Sequence, residues 1–242
     1  VRAEGVVYDE FDPAIHVIDP FPIPREWLIY RAIDFGYNNA FVCQWWAVDP
    51  DGILYLFKEL HIKGAIVEDL AKIIIRLTYN RPVQFTVADH DAEDRATLNR
   101  HGVSTIAAKK EVKRGIDAVK TRLKVQGNDK PRMYVMRDAL VDEYDKPIDD
   151  ERGEPQSLKS EMTAYSWQPA VEGKATKEEP VKLHDHHEDA ARYLVVALDG
   201  YTAGLNSQPV ARNRWSPVLV PEIRNDNDEM DEEREYSKWK RY

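Results

Sequence analysis

Three strand-like runs joined by short turns constrain the fold more than any other feature of the sequence. The runs extend from Leu28 to Phe35, from Ala40 to Val48 and from Ile53 to Leu60, and they are rich in β-branched and aromatic residues. Turn-forming residues occupy 36–39 and 49–52. Because such short connections join neighbouring antiparallel strands, we predict a three-stranded antiparallel meander.

After the meander, the hydrophobic pattern alternates between helical and strand-like. Apolar stripes with helical spacing cover 66–77 and 112–123, and residues 92–101 are also helix-like. Short apolar runs typical of strands cover 83–88, 103–107 and 133–136, and a last helix is predicted from about Asp185 to Tyr201. This order predicts an α/β fold with a mixed sheet, as in the RNase H-like architecture.

The regions outside this pattern predict the domain organisation. Residues 1–27 contain four prolines and are predicted to be an extended lead-in, and residues 28–204 to be the folded domain. Residues 138–181 are polar, and we predict an insertion or hairpin with one strand from Met162 to Gln168. Residues 205–242 are predicted to be an acidic, mobile tail. The chain begins at Val1 rather than Met, so we expect a fragment of a longer protein.

Composition excludes several classes of protein. No apolar run approaches the roughly 18–20 residues that cross a membrane, and no secretory signal is visible. A single cysteine, Cys43, excludes an internal disulfide and a CxxC metal site. Cys43 lies in an apolar run and is predicted to be a buried strand residue.

The net charge of −9 is unevenly distributed. Residues 138–154 and 222–235 each carry a net charge of −6, so the rest of the chain carries +3. Residues 109–132 hold nine basic and three acidic side chains, which indicates either a DNA-binding stripe or a solvated helix face. The two acidic segments are either gates over a basic cleft, docking surfaces or solvated loops.

Acidic residues end two predicted strands and begin the last helix. Asp34 closes the first strand before Gly36, and Asp89 ends the strand at 83–88. Asp185, His186 and Asp189 share one face of the last helix because they are three or four residues apart. These groups would meet in one pocket if the helix packs over the ends of the two strands.

Each group also has a purely structural interpretation. Asp34 before Gly36 fits ordinary turn chemistry, and Asp89 fits a helix N-cap, although Asp91 is the better N-cap candidate. Acids in a first helical turn are favoured by the helix dipole. A zinc site formed by His184, His186 and His187 is disfavoured, since thiolates are absent and histidines so close in sequence cannot easily surround one ion.

Converging carboxylates indicate the chemistry. They repel one another unless hard cations lie between them, and oxygen ligands suit Mg²⁺ or Mn²⁺. Two such ions about 3.5–4 Å apart can activate a water and stabilise the leaving oxygen of a phosphodiester. The sequence therefore predicts a metal-dependent site built on Asp34, Asp89 and Asp189.

The chain resembles the C-terminal nuclease domain of phage terminase large subunits over roughly residues 1–200. The stretches that carry the resemblance are AEGVVYDEF at 3–11, AIDFGY at 32–37, VADHDAE at 87–93, KKEVKRGI at 109–116 and DHHEDAARY at 185–193. Their order and spacing are specific, although each stretch alone is not. His90 departs from the family, in which a small residue is more usual after the second aspartate.

The resemblance implies an RNase H-like fold closest to Holliday-junction resolvases, two divalent ions and cleavage of concatemeric viral DNA with little sequence specificity. It implies metal binding by Asp34, Asp89 and Asp189, with His186 as a further ligand or proton shuttle. It implies DNA binding by Lys109, Lys110, Lys113 and Arg114.

The family protein also has an N-terminal ATPase domain, and it assembles with a small subunit and a portal in the host cytoplasm during virion assembly. This chain has no GxxxxGK[ST] loop, because Gly173-Lys174-Ala175-Thr176 lacks the leading glycine. We therefore expect it to hydrolyse DNA but not ATP. Two alternatives stay open: a resolvase or transposase of the same fold, and a DNA-clamping or portal-docking module without activity.

Overall fold

A computed structural model describes residues 5–36, 39–109, 111–127, 129–148, 154–168 and 179–206, with residues 201–206 described by their backbone alone. Its centre is one eight-stranded sheet. No helix among these residues is both long and apolar enough to cross a membrane.

The predicted meander is confirmed. Strands β2 (Leu28–Asp34), β3 (Phe41–Val48) and β4 (Leu54–Ile62) pair antiparallel in sequence order. The turn after β2 needs a glycine, because a Cβ at Gly36 would lie 2.4 Å from the carbonyl oxygen of Ala40. This close approach brings the start of β3 beside the end of β2.

The remaining strands extend the sheet on both sides. Strands β5 (Val83–Ala88) and β6 (Ile106–Ala107) continue beyond β2, and β7 (Met133–Met136) and β8 (Leu140–Val141) pair with β4. With β1 (Val17–Ile18) paired to β7, the strand order is β1-β7-β4-β3-β2-β5-β6, and β3 is the one described strand that runs against the others. The predicted α/β fold is thus confirmed: a mixed sheet in which three antiparallel strands are followed by alternating strands and helices.

Helices cover both faces of the sheet. On one face, α2 (Val67–Thr78) and α3 (Ala92–Arg100) enclose a core that includes Ile33 and Leu98. On the other, α4 (Val112–Leu123) and α6 (His186–Asn206) enclose a core that includes Leu194. A strand buried on both faces reads as a continuous apolar run, which explains the composition of β2 and β3.

The two ends of α3 and the burial of Cys43 also agree with the sequence. Asp91 caps α3 by accepting hydrogen bonds from the backbone N–H groups of Glu93 and Asp94, both at 3.0 Å. Gly102 follows α3 with a φ of +88°, a conformation that favours glycine. Cys43 is fully buried in β3, as predicted.

The segment before β2 differs from the predicted extended lead-in. It contains a one-turn helix, α1 (Pro13–His16), and a two-residue strand, β1 (Val17–Ile18), which pairs with β7. Val7 and Tyr8 are buried in the domain core. Prolines exclude a long helix, but they allow this segment to pack as part of the domain.

The predicted strand from Met162 to Gln168 is wrong. Helix α5 (Leu158–Ala164) occupies the first three residues of that segment, and Ser157 and Ser160 form a capping box at its start. Leu158 and Met162, four residues apart, are both fully buried on one side of α5. Isolated bridges at Ser166 and Trp167 are the strand-like part. Residues 149–153, 169–178 and 207–242 lie outside the described residues, and so does most of the predicted tail.

Candidate active site

Asp34 and Asp89 are neighbours at one edge of the sheet. The last paired residues of β2 and β5 are Ile33 and Ala88, and the backbone N–H of Asp89 donates to the carbonyl of Ile33 at 3.0 Å. The two aspartates follow this pair in parallel strands, which lie about 4.8 Å apart. The sequence prediction that the two strand ends meet is therefore confirmed at the level of the backbone.

The start of α6 brings His186 to Asp34. The Nδ1 atom of His186 lies 2.9 Å from Oδ2 of Asp34, and the imidazole donates this hydrogen bond. Asp34 is buried, with 6% of its surface exposed. A buried carboxylate requires a donor or a cation, and His186 supplies a donor.

The pKa of Asp34 reports on its surroundings. Burial raises this pKa to about 6, the hydrogen bond from His186 opposes the shift, and the nearby charges of Asp189 and Asp89 raise it further. In return, the hydrogen bond to Asp34 raises the pKa of His186. Since Asp34 interacts with both other aspartates, the three carboxylates share one electrostatic environment.

Asp189 is held by two residues of its own helix. Arg192 donates a hydrogen bond and forms an ion pair with Oδ1 of Asp189, and the Tyr193 hydroxyl donates to Oδ2 at 3.2 Å. Positions three and four residues apart lie on one helix face, so this grouping follows from the spacing. The prediction singled out Asp189 but missed Arg192 and Tyr193, which the same spacing rule indicates.

Gly115 makes room for Arg192. A Cβ at this position in α4 would lie 2.2 Å from Cγ and 2.5 Å from Cδ of Arg192. The Arg192 side chain is only 4% exposed, so it cannot swing into solvent without losing its packing. The crossing of α4 and α6 therefore depends on a glycine.

We expect Gly115→Ala to destabilise the domain by about 1–3 kcal/mol, because the added methyl group overpacks against Arg192. The matched control is Gly200→Ala in α6, where no atom lies within 4 Å of the added Cβ. This control should gain up to about 1 kcal/mol from helix propensity. Urea unfolding of the two variants should give shifts of opposite sign, and two stabilising shifts would contradict the close approach.

Asp89 contacts His90, the residue at which the sequence departs from the family pattern. The Nδ1 atom of His90 lies 2.6 Å from Oδ1 of Asp89, and His90 is largely exposed. The family resemblance flagged His90 as a departure, and the structure places it against the predicted ligand. Exposure leaves His90 able to turn away from Asp89.

The three carboxylates do not form a closed metal cage in this arrangement. Among the described residues, no group of three or more His, Cys, Asp or Glu side chains is placed to hold one ion. Asp34 faces His186, Asp89 faces His90 and Asp189 faces Arg192. The donor set nevertheless fits a hard divalent cation, since it consists of carboxylate oxygens whose mutual repulsion a cation would relieve.

His187, one of the three histidines of the zinc alternative, has contacts of its own. His187 is fully buried, and its Nδ1 atom lies 2.6 Å from Oε2 of Glu59. Its Nε2 atom lies 3.1 Å from Nδ1 of His61. His186 and His187 thus point to different partners.

A buried polar layer beneath α6 holds the start of this helix. Glu59 also accepts hydrogen bonds from the backbone N–H of Leu158 at 3.2 and 3.1 Å. Glu161 accepts from the backbone N–H groups of His187 at 2.7 Å and Glu188 at 3.0 Å. Carboxylates from β4 and α5 therefore support the helix that carries His186 and Asp189.

The predicted DNA-binding segment lies near the site. The backbone N–H of Ala108 donates to the carbonyl of Ala88 at 2.8 Å, so exposed Lys109 follows the sheet edge one strand beyond Asp89. Lys113 and Arg114 are exposed at the start of α4, and Arg114 pairs with Glu111 at 3.2 Å. Lys110 lies outside the described residues.

No protein-family model matches the chain, and no curated protein matches it significantly. Solved structures do match. The large terminase of a thermophilic bacteriophage, in one of its crystal forms, is 26% identical with a TM-score of 0.66, and the match covers 82% of this chain and 45% of that one. The chain thus spans about half the length of that protein.

Isolated nuclease domains match over nearly their whole length. The P22 large terminase nuclease domain is 16% identical with a TM-score of 0.61, covering 81% of this chain and 93% of that one. The large terminase nuclease of the thermophilic phage G20c, solved with bound cobalt, is 10% identical with a TM-score of 0.51, covering 81% and 98%. By its fold, the chain groups with the nuclease domains of bacteriophage large terminases.

Proposed function

We propose that the chain is the DNA-cleaving domain of a phage large terminase, a divalent-metal-dependent endonuclease that cuts concatemeric viral DNA with little sequence specificity. The observation that carries this proposal is the meeting of Asp34, Asp89 and the His186–Asp189 helix turn at one sheet edge. The fold shared with large terminase nucleases supports it, as does the cobalt bound to one of them.

Asp34, Asp89 and Asp189 would hold one or two Mg²⁺ or Mn²⁺ ions. When bound, such ions supply an activated water and stabilise the leaving oxygen of the phosphodiester. His186 holds Asp34 in place by its hydrogen bond and carries a proton at Nδ1. Arg192 compensates the charge of Asp189 and fixes its carboxylate near the other two.

The wider context follows from the same proposal. The domain would act with an ATPase domain, the terminase small subunit and the portal, in the host cytoplasm during virion assembly, on double-stranded DNA and away from membranes. We expect no ATP hydrolysis by residues 1–242, since the sequence contains no phosphate-binding loop.

Incubation of the protein with supercoiled plasmid tests this function. We expect nicked and linear products with Mn²⁺ or Mg²⁺, and none in EDTA. Preference for branched junctions over linear duplex in a labelled substrate panel would favour a resolvase. DNA binding without cleavage in any divalent metal would favour a clamping or docking module and would contradict the proposal.

We expect Mn²⁺ to stabilise the domain more at pH 7.5 than at pH 5. The pKa of Asp34 is about 6 in the folded protein against an ordinary value of 3.8, so its carboxyl is protonated at pH 5 and competes poorly for a cation. Without metal, this raised pKa makes the fold lose stability as the pH rises from about 4 to about 6. A bound cation removes that penalty.

Thermal unfolding with and without Mn²⁺ measures the effect. Saturation at about 100 times the dissociation constant should add about 2.7 kcal/mol at pH 7.5. Asp69→Asn, which alters an exposed carboxylate on α2, should respond to Mn²⁺ like the unaltered protein. Equal stabilisation at both pH values would show that Asp34 is not a ligand.

A further inference from the structure

A groove of about 460 Å³ lies beside the candidate site, on the side away from Lys109. Its lining combines the basic side chains Lys63 and Lys182 and the histidines His61, His184 and His186 with the acidic side chains Glu154, Glu161 and Asp185. Because His186 belongs to both, the groove opens directly next to Asp34.

The sheet places Lys63 at the same edge as the aspartates. Strand β4 ends at Ile62, and Phe41 at the start of β3 pairs with it, so Lys63 follows the edge two strands from Asp34. On the other side, Lys109 follows β6 one strand beyond Asp89. The acids therefore lie between two basic flanks separated by four strand spacings, about 19 Å.

This separation suits a DNA backbone that crosses the sheet edge. One strand of duplex DNA carries a phosphate about every 3.4 Å along the axis, so about five or six phosphates fall within the distance between the flanks. A duplex held at both flanks keeps a phosphate over the aspartates. If only the flank at Lys109 bound DNA, the phosphates on the other side of the cut would have no basic side chain to bind.

The groove is built on ordered backbone. The segment with Lys182 is fixed by the hydrogen bond from the N–H of Val181 to the carbonyl of Ser166 at 2.8 Å. The segment with Lys63 turns at Gly64, whose φ of +73° favours glycine. Beneath these two segments, Glu59 contacts His187 and His187 contacts His61, and these contacts hold the bottom of the groove in place.

One of the acidic side chains that line this groove pairs with Lys63. Glu154, which ends the acidic segment 138–154, pairs with Lys63 at 3.3 Å, and both side chains are more than half exposed. An exposed ion pair contributes little to stability, so a phosphate can displace the carboxylate. Glu154 thus stands where an anionic ligand of Lys63 would bind.

We propose that the Lys63–Lys182 groove binds the sugar-phosphate backbone of the DNA strand on the opposite side of the cut from Lys109, and that Glu154 competes for this position. The proposal rests on the proposed nuclease function. It names a second phosphate-binding flank that the sequence pattern did not indicate.

Fluorescence anisotropy with a labelled DNA duplex in Ca²⁺ tests the groove, with the duplex checked afterwards for integrity. We expect Lys63→Gln with Lys182→Gln to weaken binding about 10-fold or more and to reduce the slope of log affinity against log salt by about 2. We expect Glu154→Gln to tighten binding about threefold. Lys72→Gln on α2, which is also exposed and is paired with Asp69, should stay within twofold of the unaltered protein.

Binding and salt slope unchanged in the Lys63 and Lys182 double variant would overturn the proposal. If the Lys109→Gln, Lys113→Gln double variant then loses DNA binding, the DNA contacts only the basic flank at β6. That result would leave the proposed nuclease function intact. Restored binding in Lys63→Arg with Lys182→Arg, at unchanged thermal stability, would separate a charge effect from misfolding. Absence of plasmid cleavage by the unaltered protein would instead contradict the proposed function, whatever the groove binds.

Discussion

Asp34→Asn is expected to reduce metal-dependent DNA cleavage by at least about 1,000-fold, equivalent to about 4 kcal/mol of activation free energy. The carboxylate at the end of β2 lies between Asp89, His186 and the charge of Asp189. An amide has the same shape but supplies a much poorer ligand for a hard cation. Plasmid nicking in Mn²⁺ measures the loss.

The fold of this variant should survive. Burial disfavours the ionised form of Asp34 and raises its pKa to about 6, so removal of the charge leaves the thermal midpoint at pH 7.5 unchanged or higher. An amide oxygen can still accept the hydrogen bond from His186. Asp69→Asn, at an exposed ion pair on α2, is the matched control and should cut DNA normally. Cleavage that survives in Asp34→Asn would falsify the assignment of the site.

His187→Ala is expected to destabilise the domain by about 3–5 kcal/mol. The imidazole is fully buried, and its removal takes away the nearest partner of the buried Glu59 side chain, at 2.6 Å, leaving only the longer contacts to the Leu158 N–H and the Gln44 amide. Removing one member of a buried pair costs this much because the remaining group stays desolvated. Urea unfolding should show a midpoint lower by more than about 1 M.

The control for this variant is His101→Ala, an exposed histidine after α3 that should change stability by less than about 0.5 kcal/mol. A loss below about 1 kcal/mol in His187→Ala would contradict the structural role of the Glu59–His187 pair. In that case the pair would not hold the start of α6, and the position of His186 would need another cause.

Stability and the candidate site are linked through α6. Its first turn carries His186 and Asp189 toward the sheet edge, while His187 and Glu188 face the buried polar layer. Burial and the nearby Asp189 raise the pKa of Glu188 well above its ordinary value, and the positive charge of Arg192 only partly opposes this shift. Glu188 is therefore disfavoured as a second anion beside Asp189.

The sequence alone determined the central fold, because the strands of the meander and their short turns are local features. Strand β5 was predicted at its observed bounds, Val83–Ala88, and helices α3 and α4 were predicted within one residue of theirs, whereas α6 extends about five residues beyond its predicted end. The same logic brought Asp34 and Asp89 together, since parallel strands end at one edge. Spacing on a helix predicted the common face of His186 and Asp189.

Tertiary structure decided what each of these groups contacts. Helix α5 replaced a predicted strand because a serine capping box and the burial of Leu158 and Met162 outweigh local strand propensity. The contact between Gly115 and Arg192 joins residues 77 positions apart, and the Glu59–His187 pair joins residues 128 positions apart. Lys63 reaches the sheet edge through the pairing of β4 with β3. Periodicity describes one element at a time, and contacts between elements depend on packing, which no single stretch of sequence encodes.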